Sequence, residues 1–547
     1  MDAIAVVEDS GRLQRHVDDL SWRRCGRQPH RHPPRGVKYR AHGAERRAMT
    51  AMTSEDALLR VIAAAGVAAD VCSAGLVVGV GRRDEDFVRG GITHLLEHVI
   101  MHEVGRVAGV DSNAHVTSSA LEFTATGRPD RVAGFLRQVC SLLADPPVAW
   151  LPVEARVLRA EDGDCGPGPL VCLMGERYSA VDVGLAALPE PALLSITPDH
   201  LRAWASRHAV RGNAALWVVG ELPEGALQEI GEALPPGETP LRGAVPEARP
   251  ALPAWTPQPF DGAVSFTFET GTDAAAAVAT EIFRRRVEDE LRHRRGLVYG
   301  VSIDSERIDD QRRHAGLVLS LPSEWASDAV TLVVETIGRL AGTGPTRSEI
   351  EHAVEDYEAY LADPRSREDE LSGAAEATVR GWSVLGASTV RAELPALELS
   401  QLRRAAGHLR DTLLVGVPDD VDLQLEGVTR LPQHSGRSAD GTTYTRRLLG
   451  SAPRGARIIV GDDGVTLQLR GDGPRTVLWP EVVGLVREAA DPDAPDEEVY
   501  HLLGVDGTEI PLVAGDWRRG GAMIAHVLDR VPDDLTITAD PDPAPPA

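Results

Sequence analysis

The stretch that most constrains this chain is Gly91-Ile92-Thr93-His94-Leu95-Leu96-Glu97-His98-Val99-Ile100-Met101-His102. Apolar residues interleave at helical spacing after Gly90-Gly91, which predicts a helix. Residues three and four apart share a helix face, with Cβ atoms about 5–6 Å apart, so His94, Glu97 and His98 project together. Two imidazoles at i, i+4 can grip one Zn²⁺ at about 2.0–2.1 Å, and the carboxylate between them can act on a water held there. The order H-x-x-E-H is the H-E-x-x-H zinc motif reversed. Histidine pairs at this spacing also occur on solvated faces, so the rest of the chain has to give the motif its meaning.

With 547 residues the chain exceeds one core, and about 150 residues per domain gives three or four units. A net charge of −25 argues against a nucleic-acid surface. No apolar run approaches the roughly 18 residues of a membrane span, and no secretory h-region opens the chain. Cys25, Cys72, Cys140, Cys165 and Cys172 form no C-x-x-C pair and are odd in number, as expected of reduced thiols. The resulting expectation is a cytoplasmic protein with no membrane and no nucleic-acid partner.

Residues 1–54 are basic, Pro-rich and aperiodic, and are expected to be a disordered tail. The apolar, β-branched run from Val71 to Val80 predicts a buried strand leading through Gly81-Arg82-Arg83 into the motif helix. Asn113-Ala114-His115-Val116-Thr117 reads as extended, Leu121 to Thr126 as a second strand and Arg131 to Ala144 as an amphipathic helix. Pro152 opens a further helix carrying Glu154 and Glu161. Seven residues make two turns, so both carboxylates lie on one face. A two-histidine zinc site needs a third protein ligand and an open position. Glu161 is a candidate for that ligand, and Glu154 for a supporting or acid–base partner.

In this order the motifs resemble the insulinase/pitrilysin family of zinc peptidases, which includes the mitochondrial processing peptidases. That family shows a strand, a G-x-x-H-x-x-E-H helix, an N-A-x-T edge strand and a helix with two glutamates seven apart. The resemblance implies zinc binding by His94, His98 and Glu161, a general-base role for Glu97 and a supporting catalytic role for Glu154. It implies substrate binding by Asn113, Ala114 and Thr117, with the peptide added as a strand. Two departures stand out: the interval from His98 to Glu161 is short, and a Gly/Pro-rich stretch follows Glu161.

The stretch 233–259 holds eight prolines and reads as a linker. A second region, 260–424, repeats the plan, with a strand at Val264–Glu269 and a helix from Thr280 to Arg294. Leu291-Arg292-His293-Arg294-Arg295-Gly296-Leu297-Val298-Tyr299 resembles the family's second signature, which implies that Arg292 and Tyr299 orient substrate and steady the oxyanion. Helix-then-strand at 399–417 echoes 200–220 and indicates a duplication in which the first copy alone keeps H-x-x-E-H. The resemblance covers residues 55–424.

Beyond it lie a linker (425–454), six short strand candidates and a helix (455–537), and a tail (538–547). The expected fold is α+β: two duplicated domains, 55–232 and 260–424, with helices on a largely antiparallel sheet. A small β-barrel-like, pleckstrin-homology-like domain follows; lipid binding there would need a basic cluster, and because the tail is mostly acidic the expectation is a protein–protein or packing role. The expected function is a Zn²⁺-dependent endopeptidase acting on peptides inside a clamshell chamber. Its partner is a second copy in a homodimer, or a related subunit in a heterodimer. The alternative is a non-catalytic clamp that binds peptides without cleaving them.

Overall fold

The computed structural model describes residues 50–52, 59–64, 70–164, 168–243, 250–363, 366–384, 387–432, 434–471, 473–488 and 498–539. Most of the expected tails, 1–49, 53–54 and 540–547, lie outside these residues. Thr50–Met52, inside the segment read as tail, pairs as an edge strand.

Two six-stranded sheets carry the duplication. The first contains β1 (Thr50–Met52), β2 (Arg60–Ala64), β3 (Cys72–Val78), β4 (Val110–Val116), β5 (Leu121–Gly127) and β6 (Ala214–Val219), in the order β1-β2-β6-β3-β5-β4. The second contains β7 (Ala254–Gln258), β8 (Ala263–Gly271), β9 (Asp304–Arg307), β10 (Arg312–Ser320), β11 (Leu414–Pro418) and β12 (Thr429–Arg430), in the order β12-β7-β11-β8-β10-β9. Five positions correspond one to one, including a parallel pair at the same place in each, β2 with β6 and β7 with β11. The other pairs among these positions are antiparallel; at the sixth position the sheets differ, β1 running antiparallel to β2 and β12 parallel to β7. The motif helix Ile92–Val104 joins β3 to β4, and the helix Ala274–Glu288, extended by a π-helical turn over Asp289–Arg294, joins β8 to β9.

The repeats exchange helices. Pro169–Tyr178 belongs to the first repeat but lies on β8 of the second sheet. There the fully buried Arg177 donates through Nη2 to the carbonyls of Thr267 (3.0 Å) and Thr412 (2.6 Å). Ser366–Arg380 lies in turn on β3 and β6, packing Leu371, Ala375 and Val379 on Val77, Ala215 and Trp217. Both faces of β3 are therefore covered, which is why its sequence is a continuous apolar run and not an alternation. Gly75 is required there: a Cβ would come within 2.4 Å of Trp217. Arg380 completes the lock on Asp84 at 2.8 and 3.0 Å, and Ser372 donates to Glu122 at 2.7 Å.

The C-terminal unit is sheet-rich, as expected, but not a closed barrel. β13 (Gly441–Thr445), β14 (Arg457–Gly461), β15 (Gly464–Gln468) and β16 (Pro474–Leu478) form one antiparallel meander. β17 (Val482–Arg487), β18 (Val499–Gly504), β19 (Glu509–Val513) and β20 (Thr536–Thr538) form a second sheet ordered β19-β18-β17-β20, and the helix Gly520–Leu528 packs with them. The unit is seated on the first repeat: Val486 and Leu503 meet Phe87, Val88 and Leu185, and the Ala180 amide donates to the Val505 carbonyl at 3.0 Å.

The segments read as linkers need correction. Residues 233–259 include β7, whose Trp255 is buried, and 425–454 include β12 and β13. Proline misled because β12 reaches only Ala254 and Trp255, leaving Pro257 beyond its end, where a missing N–H breaks no ladder bond on that side.

Candidate metal centre

The motif helix is held at both its start and its back. Gly91 precedes it in the left-handed region, with φ 85°, a conformation glycine adopts without strain. Buried Glu85 caps the start, accepting from the Gly91 and Thr93 amides at 2.9 Å each, and Arg82 pairs with Glu85. Ile92, Leu95, Leu96, Val99 and Ile100 are buried in the core of the first repeat. That anchoring leaves half-buried His94 and His98 and buried Glu97 on the helix's other side.

The donor atoms of His94, Glu97 and His98 lie within 4.8 Å of one another, and the imidazoles meet edge to face at 4.9 Å. Glu97 Oε2 is buried without a hydrogen-bond partner. Burial, reinforced by Glu161 and opposed by His98, raises its carboxyl to about 7. From the neighbouring helix Leu151–Asp164, Glu154 bridges His98 Nδ1 (3.1 Å) and His102 Nδ1 (2.6 Å). This leaves His98 Nε2 directed at Glu161 Oε2, 3.9 Å away.

These residues fit a zinc ion. Two ligands at about 2.1 Å in a tetrahedral site stand about 3.4 Å apart, so the His98–Glu161 pair needs to close by roughly half an ångström. Glu161 is exposed, with 55% of its side chain accessible, and free to do so. A carboxylate on Nδ1, as Glu154 is on His98, is the kind of contact that would fix the ring's tautomer were His98 to bind a metal. The orphaned Glu97 oxygen lacks only a water or a cation.

The cleft beside this cluster, of about 230 Å³, is lined by Glu97, His98, Met101, His102, Asn113, Ala114 and Glu154. Asn113 and Ala114 belong to β4, which among the described residues pairs only with β5 and leaves its outer edge open. Thr117 lies past the end of β4; its hydroxyl accepts from the Ser119 and Ala120 amides at 3.2 and 3.0 Å and closes the hairpin turn. Arg292 and Tyr299 stand together elsewhere, the guanidinium 5.5 Å from the ring centroid. Tyr299 is 88% exposed, and neither lines the cleft.

No protein-family model matches the chain, and no curated protein does. Solved structures do. The chain is similar to the inactive domain of a peptidase M16 from Pseudomonas fluorescens, with 18% identity, a TM-score of 0.56, and 69% of this chain and 99% of that one covered. A protease from Helicobacter pylori matches at 16% identity and TM-score 0.57, over 68% of this chain and 100% of that one. The first half of the periplasmic protease PqqL from Escherichia coli matches at 12% and 0.51, over 68% and 94%. The fold is that of an M16 peptidase half. Among the described residues, no helix is long and apolar enough to cross a membrane.

Two residues of the site escaped the sequence reading. Glu85 lies six and eight residues before the amides it caps, outside the usual N-cap spacing. Trp150 stacks on His102 at 4.1 Å and donates to Glu103; an aromatic just before the second glutamate helix was its only trace.

Proposed function

We propose that this chain is a zinc-dependent peptidase that takes extended peptide along β4. The observation that carries the reading is the gathering of the His94, Glu97 and His98 donor atoms within 4.8 Å of one another, with a Glu97 oxygen buried and unpartnered. In this reading His94, His98 and Glu161 hold the ion, which supplies Lewis acidity toward water and a scissile carbonyl. Glu97 takes the proton of the attacking water and returns it to the leaving amine. Its carboxyl, near 7 when alone, ionises more readily once a cation sits beside it, as a general base requires. Glu154 holds the His98 ring in register, and Asn113 and Ala114 offer the open strand edge to the peptide backbone.

Arg292 and Tyr299 are the donors for the developing oxyanion, reached in a composite site between two copies. The competing reading, a clamp that binds peptide without cleaving it, draws support from the exposed, detached position of Tyr299.

Zinc content and digestion of a peptide library test the proposal. His94→Ala, His98→Ala and Glu161→Ala each lower zinc occupancy, because three protein ligands leave no redundancy. Glu97→Gln keeps the metal and loses turnover by about 10²–10⁴-fold. Zinc-loaded protein that binds peptides and cleaves none would establish the clamp instead.

A further inference from the structure

The loop between β13 and β14 is built in an unusual way. Arg447-Leu448-Leu449-Gly450 forms a turn closed by the Gly450 amide on the Arg447 carbonyl at 3.2 Å, with both leucines at its tip. Leu448 is 86% and Leu449 96% exposed. The tip is braced: the Arg446 guanidinium donates to the carbonyls of Arg447 (3.0 Å), Leu448 (3.1 Å), Gly450 and Ala452. Buried Asp516 accepts from the Ser451 hydroxyl at 2.8 Å through both oxygens, and its carbonyl accepts from the Arg447 amide at 2.7 Å. Two large apolar side chains are thus held in water by a structure that gives them no cover.

Their surroundings are cationic. Arg447, Arg454, Arg457, Arg518 and Arg519 are exposed around the loop, the last two brought there by the Arg518 amide bonding the Thr445 carbonyl at 2.9 Å. None of the five forms an ion pair with a carboxylate of the described residues, and residues 441–461 contain no Asp or Glu. The chain's charge of −25 concealed this end of the unit. The seat on the first repeat is at the other end: Val505, which touches Ala180, precedes β19, and Asp516 follows it. Five residues of strand put about 16 Å between those ends, so the leucine tip points away from the peptidase body.

We infer that this tip docks the protein on an anionic phospholipid bilayer, the leucines entering the acyl boundary and the arginines meeting the headgroups. A convex tip with two apolar side chains and a ring of unpaired guanidiniums complements a soft negative surface better than a protein groove. Salt confines electrostatics to about 8–10 Å, so the acidic remainder of the chain does not cancel the local attraction. Each guanidinium within that range contributes about fivefold to partition.

The test is flotation of the full chain with vesicles of phosphatidylcholine alone and of phosphatidylcholine mixed with phosphatidylglycerol. The intact protein floats with the mixed vesicles only, and added salt releases it. Leu448→Ser with Leu449→Ser lowers partition about tenfold or more, as does Arg447→Ala with Arg454→Ala. The fold survives because these side chains point into solvent, and an unchanged unfolding temperature checks this. No flotation by the intact protein, or equal flotation with both vesicles, overturns the proposal. So does a leucine variant that floats like the parent, which would leave a general cationic surface for an acidic polypeptide. Flotation that appears only after Asp491, Asp493, Asp496 and Glu497 are replaced by serine would assign the patch to the chain's own acidic segment and overturn it as well.

Discussion

His501 links the stability of the C-terminal unit to pH. Its ring is buried on β18, with Nε2 2.7 Å from Glu488 Oε1 and Nδ1 2.6 Å from Glu509 Oε1. Burial alone would lower its pKa, but the two carboxylates prevail and raise it to about 9 from the ordinary 6.5. A folded value above the unfolded one favours folding wherever the unfolded ring is already protonated. The contribution is therefore complete below about 6.5, declines as pH rises from there, and is gone above about 9. A shift of about 2.5 units corresponds to roughly 3 kcal/mol. That is a ceiling, because 28% of the Glu488 side chain and 41% of the Glu509 side chain are accessible and water screens them. The assay is hydrogen exchange of β17–β19, corrected for intrinsic rates, at about pH 6 and about pH 10. Protection in the parent should fall by up to about a hundredfold, whereas His501→Gln should show little change across the window. A His501 ring that titrates near 6.5 by NMR, or equal pH dependence in parent and variant, would refute the reasoning.

Other consequences are as direct. Glu154→Gln keeps the side-chain shape but removes the charge that orients His98 and His102, so zinc affinity measured by chelator competition should fall about 10–100-fold; unchanged affinity would leave Glu154 as packing alone. Gly484→Ala would set a Cβ 2.5 Å from the Phe87 ring and should destabilise the seat of the C-terminal unit by about 1–3 kcal/mol, read as a lower unfolding temperature. Mixing inactive Glu97→Gln with inactive Arg292→Ala under subunit exchange should restore part of the activity; no recovery despite mixed dimers by mass spectrometry would exclude a site shared between copies.

Much of this structure could be read from local pattern. The apolar run of β3, the 3.6-residue rhythm after Gly91 and the echo of 200–220 in 399–417 each report a neighbour close in sequence or a face covered uniformly. The six strands expected after residue 455 are present for the same reason. What stayed hidden depends on distant partners. Nothing in Ser366–Arg380 says that its small apolar face belongs on Trp217 and not on its own sheet, and the run of prolines outweighed the short apolar signal of β7 around buried Trp255. The grouping of His94, Glu97 and His98 was legible because an i, i+4 pair needs only a helix to bring it together. The Glu154 bridge to His102 was not, because it depends on how two helices pack.

The helix exchange also bears on where Arg292 and Tyr299 can act. A hinge that carried them to the cleft of their own chain would have to pull Ser366–Arg380 off the first sheet. That would expose Leu371, Ala375 and Val379 and break the bonds of Arg380 to Asp84 and of Ser372 to Glu122. It would also draw Pro169–Tyr178 away from β8, leaving the fully buried Arg177 guanidinium without the Thr267 and Thr412 carbonyls. Losing partners for one buried charged group alone costs several kcal/mol, comparable with the whole stability of an ordinary domain. The two repeats therefore move as one body. In the proposed enzyme, the oxyanion donors for one copy's cleft come from a second copy, and closure is a motion between chains.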